Sequence, residues 1–206
     1  MKTVLVDIGG VLVNCRSELV AMRVAELFGC ERLAAHNALF EPERKAALDR
    51  GTVLLEEFGR SVAAALGTEL RGPRLFEQAW MSMFDPNPLR PEAQAFHAIL
   101  RILECPTALA SNTDPWHWEI LRKVPLIAAF SRPCLSFNIG AVKPEPAFYE
   151  RAAEFLHMRP EDCLLIDDRA ENCEGARKVG MSALQYPQSE VFYHWCVFTL
   201  APAVRG

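Results

Sequence analysis

Length, composition and charge restrict what this chain can be. It has 206 residues, of which 50% are apolar and 23% charged, which is typical of a globular protein with one sizeable core or one domain carrying a smaller insertion. The formal charge is -4 and there is no run of lysine or arginine, so we expect neither nucleic acid nor an anionic membrane as a partner.

The amino-terminal residues predict a cytoplasmic protein. A strand begins within two residues of Met1, which leaves no room for a secretory signal, and no apolar stretch reaches membrane-spanning length. The 7 cysteines are scattered without a CxxC pair, which favours reduced thiols over a zinc site or a disulfide framework. We expect a monomer or a homodimer.

The first predicted element is a short buried strand that ends in a carboxylate. Residues 5–13 read LVDIGGVLV, in which an apolar strand leads to Asp7 and then to two glycines, Gly9 and Gly10. An isolated aspartate after a strand is most often a turn residue or a helix cap. The position of Asp7 between buried strand residues and two glycines makes it a candidate functional residue.

Residues 14–90 have helical periodicity and little strand signal. The block ends in DPNPLRP, residues 85–91, where three prolines in seven positions indicate a connector. We predict an inserted all-helical domain over residues 14–90 and a core built from residues 1–13 and 91–206. Apolar residues share helix faces in two stretches of the block, Val20, Val24, Leu27 and Phe28 in the first and Leu55, Phe58, Val62, Ala65 and Leu66 in the second.

After this block, short apolar runs alternate with amphipathic stretches. Strands separated by helices predict a parallel sheet with helices on both faces. The fold class is therefore α/β, with a Rossmann-like parallel-sheet core and an inserted helical domain. The predicted strands are residues 3–7, 106–111, 134–138, 163–167 and 182–186.

Polar side chains follow these strands at the edge where open parallel sheets bind ligands. Three converging carboxylates would repel one another unless they take up protons or bind a cation, and an incomplete shell of oxygen ligands suits Mg²⁺. Beside Mg²⁺ and a lysine, a carboxylate can attack phosphorus and form an aspartyl-phosphate that water hydrolyses. The residues are Asp7, Ser111 and Asn112 as donors to phosphate oxygens, Lys143, and the pair Asp167 and Asp168.

These residues stand in an ordered set of motifs that resembles the haloacid dehalogenase superfamily. The motifs are Asp7 in DIGGV, Ser111 in ALASNTD, Lys143 in GAVKPEPAFY, and Asp167 and Asp168 in LLIDDRAENCEGARKVGM. The resemblance extends to about Tyr186, and the helical block stands where the superfamily's helical cap of the first type enters.

The resemblance implies a role for each motif residue. Asp7 is the nucleophile, and Ser111 and Lys143 bind and neutralise phosphate, with Lys143 also counted as catalytic. The implied metal ligands are Asp7, the carbonyl of Gly9 and Asp168, with Asp167 as a further ligand or a residue behind the ligands. The implied cofactor is Mg²⁺ and the implied partner is a small phosphorylated metabolite.

Gly9 departs from the pattern of the superfamily's phosphatases. These usually carry a second aspartate two residues after the nucleophile as a general acid, and losing a general acid typically costs about 10²- to 10⁴-fold in rate. Some bacterial sugar-phosphate phosphatases of the superfamily have similar DxGNV-like first motifs and a similar SNT segment. This implies a sugar phosphate whose leaving group needs little protonation. Asp114, His117 and His36 are candidate replacement donors.

Two other functions are open at this stage. The namesake dehalogenases also attack with an aspartate and need no acid for a halide leaving group, but they need no metal. Alternatively, the loss of one motif residue is compatible with a catalytically impaired protein that binds or regulates. The presence of Asp7, Ser111, Lys143, Asp167 and Asp168 disfavours that alternative.

The helical block is expected to contribute substrate specificity and to close over the site. Its candidates are Arg44 and Lys45 for an anionic group. The aromatic and methionine cluster Trp80, Met81, Met83 and Phe84 is either core or pocket. The apolar tail from residue 187 onward is predicted to pack on the sheet domain or on another subunit.

Overall fold

A five-stranded parallel sheet forms the centre of the protein, with the strand order β3-β2-β1-β4-β5. The computed structural model describes residues 2–84, 88–187 and 189–205, with only the backbone of Ser189. The α/β class and the parallel sheet are as predicted. The strands are β1 (Thr3–Val6), β2 (Thr107–Ser111), β3 (Cys134–Leu135), β4 (Cys163–Asp167) and β5 (Ser182–Gln185).

The central strand β1 lies between β2 and β4. Val4 is in register with Thr107 of β2 on one side and with Leu164 of β4 on the other. The chain runs outward from β1 through β2 to β3, then crosses back to β4 and β5. Open sheets bind ligands beyond the carboxyl ends of their strands at such a reversal of direction.

Both faces of the sheet are covered, because successive strand side chains point to opposite sides. Val4 and Val6 belong to one apolar cluster and Leu5 to a second one. The second cluster is completed by α10 (Pro146–Leu156) and α11 (Ala170–Lys178). The first is continued by α6 (Ala93–Ile102), whose Phe96 and Leu100 are fully buried. Helices on both faces were predicted from the alternation of strands and helices along the chain.

Between β1 and α6 lies the helical insertion, residues 17–84. Its Phe58 and Trp80 are buried in the same apolar cluster as Val4 and Val6 of the sheet, so the insertion packs directly on the core. The all-helical character predicted for this block is confirmed, whereas residues 85–87 of the predicted connector lie outside the described residues. The helices are α1 (Ser17–Phe28), α2 (Arg32–Leu39), α3 (Pro42–Asp49), α4 (Leu55–Ala65) and α5 (Pro73–Met81).

The carboxyl-terminal tail packs on the sheet domain. Phe192, Trp195, Leu200 and Val204 are buried along one continuous helical stretch, which is in π-helical form over Cys196–Leu200. None of the helices in the described ranges combines the length and apolar character that a membrane span requires. The remaining helices are α7 (Pro115–Leu121), α8 (Pro125–Ala128), α9 (Ser136–Ile139), α12 (Phe192–Trp195) and α13 (Ala201–Arg205).

The third strand is shorter than predicted. Residues 134–138 were expected to be extended, but only Cys134 and Leu135 pair with β2, and α9 begins at Ser136. The Ser136 hydroxyl accepts a hydrogen bond from Thr113 N and donates one to Thr113 O, both at 2.9 Å. This side chain therefore binds the loop after β2 where a longer strand would have continued the ladder.

Candidate active site

A cavity of about 440 Å³ opens at the carboxyl ends of the strands. Every residue predicted from the four motifs except Asp167 lines it, so the structure brings together side chains that are more than one hundred residues apart in sequence. Sequence reasoning did not single out Asn14, Cys15, Arg90, Arg169 and Asn172, which also line it. The full lining is Asp7, Gly9, Gly10, Asn14, Cys15, Arg90, Ser111, Asn112, Lys143, Asp168, Arg169 and Asn172.

Asp7 is held rigidly at the end of β1. Its backbone N–H donates to Ile166 O at 2.9 Å, and its Oδ1 accepts from Ile8 N at 2.7 Å and lies 3.0 Å from the Lys143 ammonium. Burial raises the pKa of Asp7 to about 7; Lys143 opposes this rise and the charge of Asp167 adds to it. Added positive charge would therefore favour the ionised, nucleophilic form of Asp7.

Lys143 is fixed by Asp167, which lies behind the cavity wall. The Lys143 ammonium donates to Asp167 Oδ2 at 2.5 Å and to Ala110 O at 2.8 Å. Burial would lower the pKa of Lys143, but the charges of Asp7 and Asp167 raise it above its usual range. The ammonium is therefore charged and is held against Asp7.

Both carboxylate oxygens of Asp167 have protein donors. Oδ2 accepts from Lys143, while Oδ1 accepts from Asn172 Nδ2 at 2.9 Å and from Arg169 N at 3.0 Å. Asp167 is fully buried. Its geometry is that of a residue that orients Lys143. Asn172 could have been identified from the sequence, because it follows Asp167 by five residues and lies near the start of α11.

Asp168, in contrast, faces the cavity. Burial and the neighbouring charge of Asp167 raise its pKa. An aspartate just before a helix can also act as its N-cap. In the structure α11 follows Arg169 without a side-chain cap, and the nearby backbone N–H of Arg169 is bound by Asp167 instead. Asp168 is thus available to the cavity.

The three aspartates form a group that suits a divalent cation. Asp7, Asp167 and Asp168 each offer a carboxylate oxygen, and these oxygens lie within 4.8 Å of one another. All donors are oxygens, the ligand type that Mg²⁺ prefers, and the raised pKa values of Asp7 and Asp168 show that the carboxylates would gain from a cation. The residues present fit Mg²⁺.

Asn112 has a structural partner that the sequence did not predict. Its Nδ2 donates to Lys143 O and its Oδ1 accepts from Lys143 N, both at 2.8 Å. This pair of bonds joins the loop after β2 to the loop that carries Lys143. Asn112 was predicted to hold phosphate oxygens; it lines the cavity, and its amide already holds the Lys143 backbone. Ser111, also buried, lines the same wall.

Cys15 occupies the space beside Gly9. A Cβ atom built on Gly9 would lie 3.0 Å from Cys15 Sγ, so the thiol stands close to where a side chain at position 9 would extend. Cys15 is exposed as a residue, but its thiol lies in the cavity. Burial of the thiol there, together with the charges of Asp7 and Asp168, raises the pKa of Cys15 to about 12. The thiol is therefore protonated at neutral pH.

The proposed replacement proton donors lie elsewhere. Asp114 is fully buried between the insertion and the core, where it accepts from Trp80 Nε1 at 3.0 Å and lies 2.9 Å from His117 Nδ1. Burial would raise the pKa of Asp114, but His117 lowers it to about 2. His36 lies on α2, where it packs against Phe40. Within the described ranges, none of the three predicted donors lines the cavity.

The specificity candidates of the insertion are also outside the cavity lining. Arg44 donates to Ala38 O at 2.5 Å, and Lys45 pairs with Asp49 at 2.5 Å beneath the Trp80 ring. Trp80 itself is fully buried. The cluster of Trp80, Met83 and Phe84 is therefore part of the apolar core, the alternative that the sequence had left open; Met81 lines a separate groove.

Fold and site together place a strand-end carboxylate, a charged lysine and a group of carboxylate oxygens at the ligand-binding edge of an α/β sheet. The chain belongs to the haloacid dehalogenase-like hydrolases, whose family model matches residues 1–180. The resemblance noted from the four motifs is thus confirmed, and the protein is a hydrolase of that family.

One relative found by sequence and two solved structures each match almost the whole chain. The D-ribitol-5-phosphate phosphatase of Bacteroides thetaiotaomicron is 23% identical over 198 residues, which are 90% of this chain and 91% of the relative. A haloacid dehalogenase family enzyme of that organism, solved in complex with magnesium and inorganic phosphate, superposes with a TM-score of 0.72 at 22% identity, covering 96% of this chain and 99% of that one. A hydrolase of Porphyromonas gingivalis described as haloacid dehalogenase-like gives a TM-score of 0.76 at 22% identity, covering 100% and 98%.

Proposed function

We propose that this hydrolase is a Mg²⁺-dependent phosphatase that acts through an aspartyl-phosphate on a small sugar phosphate. The observation that carries the proposal is the buried arrangement of Asp7 3.0 Å from the Lys143 ammonium, with Asp168 in the same cavity. In this proposal Asp7 is the nucleophile, the Lys143 ammonium binds phosphate oxygens and Asp168 is a metal ligand. All three lie where such sheets bind ligands.

The metal ligands that fit are Asp7, Asp168 and the carbonyl of Gly9. Asp167 is assigned the role of orienting Lys143 and is not counted as a metal ligand, because both of its oxygens already accept hydrogen bonds from protein groups. Bound Mg²⁺ would supply positive charge that favours ionised Asp7 and neutralises phosphate oxygens.

The chain's own residues account for two displacement steps. The Asp7 carboxylate attacks phosphorus, the bond from phosphorus to the substrate's ester oxygen breaks, and the freed alkoxide takes a proton from water. Water then attacks the phosphorus of the aspartyl-phosphate and loses a proton to the hydroxide left by the first step, and the bond from the Asp7 oxygen to phosphorus breaks, which releases phosphate and restores the carboxylate. Lys143 and Ser111 hold phosphate oxygens, while Asp167 and Asn112 position Lys143.

Gly9 limits the leaving group. With no carboxylic acid at position 9, esters whose oxygen departs easily are favoured, such as an anomeric sugar 1-phosphate or a phenyl phosphate. The name of the phosphatase from Bacteroides thetaiotaomicron supports a small hydroxylated phosphate ester as the substrate class. We also place this reaction in the cytoplasm, with residues 14–90 as a cap on a core of residues 1–13 and 91–206.

The alternatives are less consistent with the site. A halide-releasing enzyme has no need of a metal, yet three carboxylates converge here within 4.8 Å. A purely binding protein has no need of a lysine held against a strand-end carboxylate in a buried site.

Phosphate release from a panel of esters, with Mg²⁺ and with chelator, tests the proposal. We expect turnover that requires Mg²⁺, is fastest on sugar 1-phosphates or phenyl phosphate, and is lost in Asp7→Asn. The matched control is Asp162→Asn, which changes an aspartate just before β4, at the strand end opposite Asp167. Activity that survives Asp7→Asn, or halide release from 2-haloacids without phosphate release, would contradict the phosphatase.

A further inference from the structure

Arg90 lines the same cavity as Asp7 and Lys143, although it lies outside the four motifs. It stands where the chain returns from the helical insertion to the core. The backbone N–H of Arg90 donates to Leu12 O at 2.9 Å, and Asn14 N donates to Pro88 O at 2.6 Å. The returning segment is therefore bound to the segment that leaves the first motif, and Arg90 and Asn14 both contribute to the cavity wall.

The Arg90 side chain is supported from behind. Its guanidinium carbon lies 5.8 Å from the centroid of the Tyr186 ring, and its Nε lies 3.9 Å from Glu92 Oε2. Tyr186 is only 6% exposed and packs against Phe96 and Trp195, with ring centroids 5.3 Å and 5.7 Å away. Arg90 therefore rests on a rigid aromatic platform, which reduces the side-chain entropy lost when it binds a ligand.

Charge pairing in the cavity indicates what Arg90 would recognise. Lys143 is paired with Asp7 and Asp167, Arg90 is paired with Glu92, and Arg169 is paired with Glu171. Every basic side chain of the described lining thus has a carboxylate near it. The wall therefore offers hydrogen-bond donors, but no net positive charge that would attract a second acidic group of the substrate. The guanidinium nitrogens of Arg90 other than its buried Nε, together with the Asn14 amide, are hydrogen-bond donors that suit a hydroxyl-rich, neutral carbon chain.

We propose that Arg90 and Asn14 bind the hydroxyl groups of a polyol or sugar monophosphate, and that Tyr186 is the positioning residue that holds Arg90. This inference rests on the proposed phosphatase function and specifies which part of the substrate is read outside the phosphate site. A phosphate ester that carries a carboxylate, or one without hydroxyl groups, gains little from this wall.

Steady-state kinetics of Arg90→Gln test the first part of the proposal. For a pentitol monophosphate we expect KM to rise by about 10- to 100-fold, the value of a hydrogen bond to a charged group, with a smaller change in kcat. For p-nitrophenyl phosphate, which has no hydroxyl groups, the rise in KM is expected to be much smaller. Arg169→Gln, a second cavity arginine, is the matched control and should not discriminate between the two esters. Equal effects of Arg90→Gln on both esters, or a larger effect on a phosphocarboxylate, would overturn the proposal.

Paired substitutions at Tyr186 test the positioning role. The Tyr186 hydroxyl is buried and has no hydrogen-bond partner among residues 2–84, 88–187 and 189–205. Tyr186→Phe keeps the platform and should leave KM for the pentitol monophosphate unchanged, whereas Tyr186→Leu should raise it selectively. If both variants raise KM equally, the hydroxyl rather than the ring is what matters, and the platform role is wrong. Should Tyr186→Leu not fold, Arg90→Lys, which keeps the charge but loses the planar stacking group, must still raise KM.

Direct binding separates this inference from the catalytic proposal. Titration calorimetry of the Asp7→Asn protein with the pentitol monophosphate, with and without Arg90→Gln, measures recognition in the absence of turnover. Weaker binding on loss of Arg90, with unchanged binding of inorganic phosphate, supports the inference even if the wild-type protein hydrolyses nothing. Turnover by the wild-type protein combined with binding that does not depend on Arg90 overturns the inference and leaves the phosphatase intact.

Discussion

The two neighbouring glycines of the first motif are present for different physical reasons. Gly10 has a φ of +75°, and a Cβ atom there would lie 2.1 Å from Asp168 Oδ2. Gly9 has no such backbone requirement, and a Cβ atom there would meet only Cys15 Sγ, at 3.0 Å. Gly10 is therefore needed for the close approach of the first and last motifs, whereas the residue at position 9 is limited by Cys15.

Replacement of Gly10 by alanine should lower stability through backbone strain and should also weaken metal binding. The control is Gly67→Ala, because Gly67 has a φ of +71° and open space around its Cβ position. Both variants should lose about 1–2 kcal/mol of unfolding free energy through the left-handed backbone. Only Gly10→Ala should also displace Asp168 and raise the Mg²⁺ concentration needed for half-maximal activity. Denaturant unfolding and Mg²⁺ titrations measure the two effects; an unchanged Mg²⁺ requirement in Gly10→Ala would contradict the assignment of Asp168.

An aspartate introduced at position 9 should work only when Cys15 is made smaller. In Gly9→Asp, the new carboxyl group competes with the Cys15 thiol for space. In Gly9→Asp combined with Cys15→Ala, we expect faster hydrolysis of alkyl phosphates than in either single variant, toward the roughly 10²- to 10⁴-fold that a general acid contributes. Turnover of alkyl and phenyl phosphates by the four proteins measures this. A double variant no faster than Gly9→Asp alone would show that Cys15 does not restrict the position.

At the scale of elements, the end of β4 separates two consecutive aspartates into different tasks. Successive side chains at a strand end point in opposite directions. Asp167 points toward Lys143 behind the wall and is fully buried, while Asp168 lines the cavity. The same strand end therefore binds the lysine and contributes a carboxylate to the proposed metal site.

Substitution of each aspartate by asparagine should reveal this division. Asp167→Asn leaves Lys143 with a weaker buried partner, so we expect a large loss of unfolding free energy, up to about 3–5 kcal/mol, and a lower kcat. Asp168→Asn should cost little stability without metal, because the raised pKa of Asp168 shows that the fold disfavours its charge. It should instead weaken Mg²⁺ binding. Thermal unfolding with and without Mg²⁺ measures both, and the reverse pattern would exchange the two roles.

In the molecule as a whole, the insertion and the core share one apolar cluster, so we expect them to unfold as one cooperative unit. Their apolar side chains belong to one cluster, and Trp80 Nε1 of α5 donates to the fully buried Asp114 after β2 at 3.0 Å. Arg50 at the end of α3 also forms an ion pair with Glu145, in the loop that carries Lys143. Any movement of the insertion therefore has to break both apolar and polar contacts with the two loops of the site.

Loss of the Trp80 hydrogen bond should destabilise both parts together. Trp80→Phe leaves the Asp114 carboxylate with one fewer donor, and we expect about 1–3 kcal/mol less unfolding free energy in a single transition. Trp118→Phe makes the same chemical change at a half-buried tryptophan whose indole N–H has no hydrogen bond to the part of the chain that the structure describes, and it should cost less. Urea unfolding followed by circular dichroism and by fluorescence measures the effect. Two separate transitions would contradict a single cooperative unit.

Sequence patterns were enough to predict the sheet, the helical insertion and most of the site. Strand and helix periodicities are local, and a parallel sheet brings all carboxyl strand ends to one edge, so Asp7, Ser111, Lys143 and Asp168 could be placed near one another without coordinates. The extent of β3 could not be predicted, because it depends on the hydrogen bonds between Ser136 and Thr113.

The roles of neighbouring polar groups became apparent from the folded structure and could not be read from the sequence. Three kinds of contact show this. Asp167 and Asn112 form hydrogen bonds to Lys143, and Arg90 lies over the Tyr186 ring, so these contacts join segments that are distant in sequence. The thiol of Cys15 lies beside Gly9 within a loop. Periodicity predicts which face of an element a residue occupies, but loops have no period. The partner of a loop side chain is set by packing, and packing is a property of the folded chain as a whole.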